Sequence, residues 1–174
     1  MTDIKDRVAQ AITRGVQARS QYYQSIELED EQALGAPVAE DLIIRLEGKV
    51  GKPLPPSFRA FLQLHNGWQE VDGGVDLLPV ETMLGLQDDV GIAQWQRNQQ
   101  QDGDTIAARS LVIGASRITP TKYLLDPGAA DENGEWPLLQ YHDELEAELP
   151  SFIQWLEESV DEYLELAQME QDDE

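Results

Sequence analysis

The stretch Leu54–Trp68, LPPSFRAFLQLHNGW, constrains the chain more than any other, because it carries both a helix start and a helix stop. Pro56 suits a first helical turn, where its missing N–H leaves no bond unmade. Phe58, Phe61, Leu62 and His65 then recur at i, i+3, i+4 and i+7, which predicts a helix with one buried face. Asn66 and Gly67 tolerate a left-handed backbone, so Gly67 is expected at the C′ position of a Schellman-type end, with Trp68 touching Leu62. No nucleophile or carboxylate at helical spacing accompanies His65, so its imidazole reads as structural.

Helical periodicity precedes this stretch. Ile4, Val8, Ala11, Ile12, Gly15 and Val16 share one face of residues 4–26, and Leu42, Ile43, Leu46 and Val50 form a stripe that stops at Gly51. ELEDEQALGAP reads as a solvated connection, and GKPLPP as a stiff extended link. After Trp68 the period changes. Asp72-Gly73-Gly74 predicts a turn into a strand over 75–80, which Pro79 marks as an edge or an end. Residues 81–101 read as partly helical, and QRNQQQDGDT as an exposed loop.

Three short apolar runs, 110–116, 122–126 and 136–141, are separated by DPG and ENG turns and predict an antiparallel meander. Ser151 with Gln154 has capping-box spacing and opens a last helix, whose expected face carries Leu149, Phe152, Ile153, Leu156, Val160, Tyr163, Leu164 and Ala167. Runs of strands segregated from helices imply an α+β domain: a mostly antiparallel, twisted sheet of four to six short strands with helices mainly on one face. At 174 residues the chain suits one core. The expected organisation is a domain over 37–168, an N-terminal helical extension (1–36) packed on it, and an acidic C-terminal tail (169–174).

Charge is distributed unevenly. Residues 1–122 hold all 12 Lys and Arg against 17 acidic side chains, whereas residues 123–174 hold 17 acidic side chains and no basic one. A one-sign field of this kind repels nucleic acid and anionic membrane and speeds encounter with a basic protein. Direct nucleic-acid binding would need a basic face interleaved with aromatics, so none is expected. No segment approaches the roughly 18 to 20 apolar residues of a membrane span, and the N-terminus lacks the apolar core of a signal peptide. The expectation is a cytoplasmic protein.

The absence of Cys excludes disulfides, thiolate metal sites and cysteine nucleophiles. Asp72, Asp76, Asp88, Asp89 and Asp126 offer oxygen ligands, yet none has the ligand spacing of a calcium loop, and they read as turn residues. No phosphate loop, His-Glu-x-x-His helix or nucleophile elbow occurs. The expected chain has no catalytic residue, no metal and no cofactor.

LIIRLEGKVGKPLPPSFRAFLQLHNGW resembles the characteristic region of the SUKH superfamily, which includes the fungal Smi/Knr-type cell-wall assembly regulators. The matching positions are Leu46, Glu47, Leu54, Pro55, Phe58, Phe61, Leu62, Asn66 and Gly67. DLLPVETM, KYLLDPG, GEWPLLQY and SFIQWLE are similar to the later motifs in their order, and Ser57 stands where many relatives carry an acid. The resemblance implies a non-enzymatic protein-binding module. Its bacterial branch consists largely of immunity proteins that occlude a secreted toxin, often a nuclease; its fungal branch consists of regulatory scaffolds with several partners.

A basic toxin domain is the partner that the charge fits, and an acidic metal-dependent enzyme using Asp72 or Asp76 is the remaining alternative. For partner contact, aromatics beside carboxylates single out Trp68, Glu70, Asp72 and Asp76, and then Glu135, Trp136 and Tyr141. The competing reading places the two tryptophans in the core.

Overall fold

The computed structural model describes residues 3–88 and 90–173. Seven strands among them form one antiparallel meander in chain order: β1 (Ala33–Leu34), β2 (Trp68–Asp72), β3 (Val75–Leu77), β4 (Leu111–Ser116), β5 (Lys122–Leu125), β6 (Leu138–Tyr141) and β7 (Leu145–Leu149). The α+β class holds, with more strands than the expected four to six. The additions are β1, only two residues long; β2, whose register shifts between Trp68 and Asp72; and β7, whose LEAEL lies in a run dominated by carboxylates.

The helices are α1 (Ile4–Ser25), α2 (Glu40–Val50), α3 (Pro56–Leu64), α4 (Val80–Met83), α5 (Ile92–Gln101), α6 (Thr105–Arg109) and α7 (Phe152–Asp172). Strand alternation sends Leu111, Ile113, Tyr123, Leu125 and Leu138 into the main core, with α1, α2, α3 and α7. Val112, Ala115, Leu124, Leu139 and Tyr141 face the other way and are covered by Ala107 of α6 and by Ile92 and Trp95 of α5. The segment 96–105, expected as an exposed loop, is therefore largely the second helical layer. Gln96 fastens that layer by donating to the carbonyls of Ala107 and Ser110 (3.1 and 2.8 Å).

The stop after α3 differs from the expected Schellman end. His65 leaves the helix in an extended conformation (φ −148°), and its N–H still donates to the Phe61 carbonyl. Gly67 supplies the left-handed turn (φ +86°) into β2, and a Cβ there would stand 2.8 Å from the Leu77 carbonyl oxygen. Asn66 also caps α4, since its Oδ1 accepts the Val80 N–H at 2.7 Å while its Nδ2 donates to Glu81 at 2.9 Å.

Val8, Ala11 and Ile12 of α1 belong to the main core, and α1 packs along α7. Arg7 pairs with Glu157, and Arg14 with Asp161, across that contact. Arg19 is fully buried: it donates to the Val71 carbonyl and to Ser159 Oγ, and its guanidinium lies 4.8 Å from the Trp68 ring and 4.7 Å from the Tyr163 ring. Burial lowers the pKa of Arg19, opposed by the fields of Tyr163 and Asp72. Helix α7 continues to Asp172, so most of the segment expected as a tail is helical.

Candidate functional site

The hairpin β2–β3 carries four of the candidate contact residues. Trp68, Val71, Val75 and Leu77 are buried, the irregularity at Glu70 setting Trp68 and Val71 three apart, and Glu70, Asp72 and Asp76 are half-buried along the rim. The three carboxylates are held in place by hydrogen bonds. Asp76 Oδ1 accepts the Glu70 N–H at 2.8 Å, Glu70 Oε2 accepts the Gly74 N–H at 3.1 Å, and Asp72 Oδ2 accepts the Tyr123 hydroxyl at 2.7 Å. From α7, the Tyr163 hydroxyl accepts the Gly73 N–H at 3.2 Å. Arg117 Nε lies 3.6 Å from Asp76 Oδ2.

Glu70 has φ +55°, a conformation that costs a non-glycine residue about 1–3 kcal/mol. The bonds to Asp76 and Gly74 hold it there and produce the irregular register of β2. Burial and the Asp72 charge push both Tyr123 and Tyr163 well above the ordinary phenol range, so their hydroxyls keep their protons across the working pH range.

The tryptophan of the hairpin does not share its rim. Trp68 is 0% exposed, stacked by Arg19, and its Nε1 donates to Gln32 Oε1 at 3.2 Å. The second candidate group is also internal. Trp136 is 1% exposed beneath Lys52, whose Nζ is 5.5 Å from the ring centroid, and Tyr141 donates to Asp104 Oδ2 at 2.7 Å while meeting Trp95 edge-on.

Glu135 turns inward as well. It accepts the Ser57 N–H (2.8 Å) and the Ser57 hydroxyl (2.7 Å) at the start of α3. The carboxylate at this helix start arrives from Glu135, 78 residues away. Burial raises the Glu135 carboxyl above its usual value, against the Ser57 hydrogen bonds that lower it. The structure thus separates the seven residues: Glu70, Asp72 and Asp76 reach solvent, while Trp68, Glu135, Trp136 and Tyr141 hold layers together.

The other aspartates considered as ligands have structural partners. Asp88 Oδ1 accepts the Ile92 N–H at the start of α5, and Asp126 takes Arg109 through two bonds of 2.9 Å and the Gly128 N–H. Burial opposes the Asp126 charge, but Arg109 and Gly128 outweigh it and hold its carboxyl below the usual range. Asp89 lies outside the described residues. Among the described residues no group of three or more His, Cys, Asp or Glu side chains is placed to hold a metal ion, and no helix is long and apolar enough to cross a membrane.

One feature escapes a linear reading of the sequence. A cleft of about 340 Å³ opens beside α7, with Asp72 of the hairpin on one wall, Glu158 and Glu162 on another, and Trp155 and Ser159 along the helix. Its only sequence trace is the i, i+4 spacing of the two glutamates away from the apolar stripe of α7.

Residues 37–168 match the SMI1 / KNR4 family (SUKH-1), a span that runs from the approach to α2 through most of α7 and leaves α1 outside. No curated protein matches the chain.

Proposed function

The chain belongs to the SMI1 / KNR4 family (SUKH-1), and from that premise we propose that it is a non-enzymatic protein-binding module. The finer reading is an immunity protein that binds a cognate secreted toxin and occludes its working surface. The observation that carries this reading is the β2–β3 hairpin, whose three carboxylates are fixed at the rim by the Tyr123 hydroxyl and by the backbone N–H groups of Glu70 and Gly74. A fixed acidic loop loses little conformational entropy on binding and complements a basic partner. The last 52 residues, with 17 acidic side chains and no basic one, extend the same field.

Nuclease domains carry basic surfaces to hold phosphate backbones, so a nuclease toxin has the matching sign. Occlusion needs no chemistry from this chain, and it assigns no catalytic role to Asp72 or Asp76. Trp68 is buried beneath the hairpin and Trp136 lies in the core under Lys52, so the proposed contacts are the carboxylates Glu70, Asp72 and Asp76.

Co-expression with the toxin-like product of the neighbouring reading frame tests the proposal. The expected result is a stable complex and rescued growth. Neither complex nor rescue, with several host proteins recovered instead, would contradict it and favour a regulatory scaffold.

A further inference from the structure

We infer that the partner docks on the hairpin end of the sheet, with a basic side chain entering the cleft beside α7 and with Ile118, beside Gly74 of the hairpin, as the apolar anchor. This inference rests on the protein-binding reading above and specifies its surface.

The meander places the β2–β3, β4–β5 and β6–β7 turns at one end of the sheet. Two contacts show that they adjoin. A Cβ on Gly74 would stand 3.0 Å from Ile118 Cδ1, and Thr121 Oγ1 lies 3.0 Å from His142 Nδ1. Ile118 is 82% exposed, more than any other large hydrophobic side chain described. Its backbone is nonetheless fixed, because Ser116 Oγ accepts the N–H groups of both Ile118 and Thr119 at 3.1 Å. A scattered exposed aliphatic residue needs no explanation by itself. This one is fixed beside the braced hairpin whose Asp72 forms a wall of the acidic cleft.

The charges identify the occupant. On α7, Glu157 and Asp161 are engaged by Arg7 and Arg14 of α1. Their neighbours Glu158 and Glu162 line the cleft, where Glu158 Oε1 accepts the Gln154 side-chain amide at 3.0 Å. The protein's own core shows what these elements accept. There, the Arg19 guanidinium donates to Ser159 Oγ and lies over the Tyr163 ring, and Asp72 adds a favourable field. The cleft is lined by Ser159 and Asp72, whose side chains already serve Arg19 and Tyr123, together with Trp155 and the carboxylates of Glu158 and Glu162. An arginine or lysine on a basic protein fits that combination of charge and aromatic surface. A second copy of this chain, at net charge −22, is repelled.

The test uses the ¹⁵N-labelled full chain titrated with acetyl-hexaarginine amide at about 150 mM salt, where weak surface charge effects are screened. Expected are saturable shifts at residues 72–74, 117–119 and 158–162. The double variant Glu158→Gln/Glu162→Gln should bind the peptide about tenfold more weakly, while Glu170→Gln/Asp172→Asn leaves binding unchanged. Shifts centred on the end of α7, or no saturable binding, would overturn the inference.

The same variants are then measured against the toxin-like product of the neighbouring frame, with Ile118→Asp added. A complex weakened about tenfold by Glu158→Gln/Glu162→Gln and by Ile118→Asp, and unchanged by Glu170→Gln/Asp172→Asn, supports the surface. A complex indifferent to all of them overturns the surface and leaves the binding function standing. Failure of the wild-type chain to form any complex defeats the functional reading, and the peptide titration still decides the cleft. Circular dichroism of each variant separates lost docking from lost folding.

Discussion

The segments Trp68–Asp76 and Glu135–Tyr141 look alike in sequence, each setting aromatics beside carboxylates, yet they do opposite work. In the first, the indole goes inward under Arg19 and the carboxylates stay at the rim, braced by Tyr123 and by backbone N–H groups. In the second, the carboxylate itself goes inward to meet the start of α3, and both aromatics pack between layers. Residue type sets what a side chain can bond to; the register of its strand and a partner many residues away set whether it faces solvent. Only the first segment presents its carboxylates to solvent.

Substitution of the two tryptophans probes the part of the comparison where both segments are alike. Trp68→Ala and Trp136→Ala should each destabilise the fold by about 3–5 kcal/mol in urea unfolding. Trp68→Ala should be the larger, because it also removes an aromatic face from the buried Arg19 guanidinium. A loss below about 1 kcal/mol for either would place that indole outside the core. Next in size, Tyr123→Phe deletes the hydroxyl donor to Asp72 and should cost about 1.5–3 kcal/mol. Amide exchange would show whether the loss is concentrated at residues 70–74, as a brace requires. Uniform loosening of the whole sheet would mean that the hairpin has no separate support.

The smallest effect concerns pH and distinguishes the two kinds of carboxylate. Glu135 has a raised pKa in the folded state, so its contribution to stability is fully present below its unfolded pKa and is lost as pH rises through the folded one. Asp126, held below the usual range, works in the opposite direction: its contribution is present above its unfolded pKa and is lost as pH falls through the folded one. Glu135→Gln keeps an acceptor and a donor for Ser57 without the titrating charge. The variant should therefore gain on the wild type as pH rises from the ordinary carboxylate range toward neutrality, as measured by urea midpoints at each pH. A difference that stays constant or narrows would show that the Glu135 charge is not disfavoured by burial.

Much of this fold is legible in the sequence because it depends on period. α1, α2, α3 and α7, and the strands β3 to β6, fall where helical or strand spacing of apolar residues puts them. The missed elements lack that signal. Two residues are too few for β1 to show alternation, the left-handed Glu70 interrupts β2, and the carboxylates of LEAEL hide β7. α5 is polar for most of its length and is held by Ile92, Trp95 and the carbonyl-bridging Gln96.

The acidic site is legible only as a set of residue types. That Asp72 is held by a tyrosine 51 positions away, while Glu135 is drawn to a serine 78 positions away, is a property of the meander and of the helices laid over it.

The central claim, that a fixed acidic surface brings in a basic partner, is tested most directly by stopped-flow association of the full chain with the toxin-like product of the neighbouring frame. Between roughly 10 and 150 mM ionic strength the association rate constant should fall by about tenfold or more, while the dissociation rate changes little. An association rate indifferent to salt would contradict the account and leave the charge of this chain with solubility as its role.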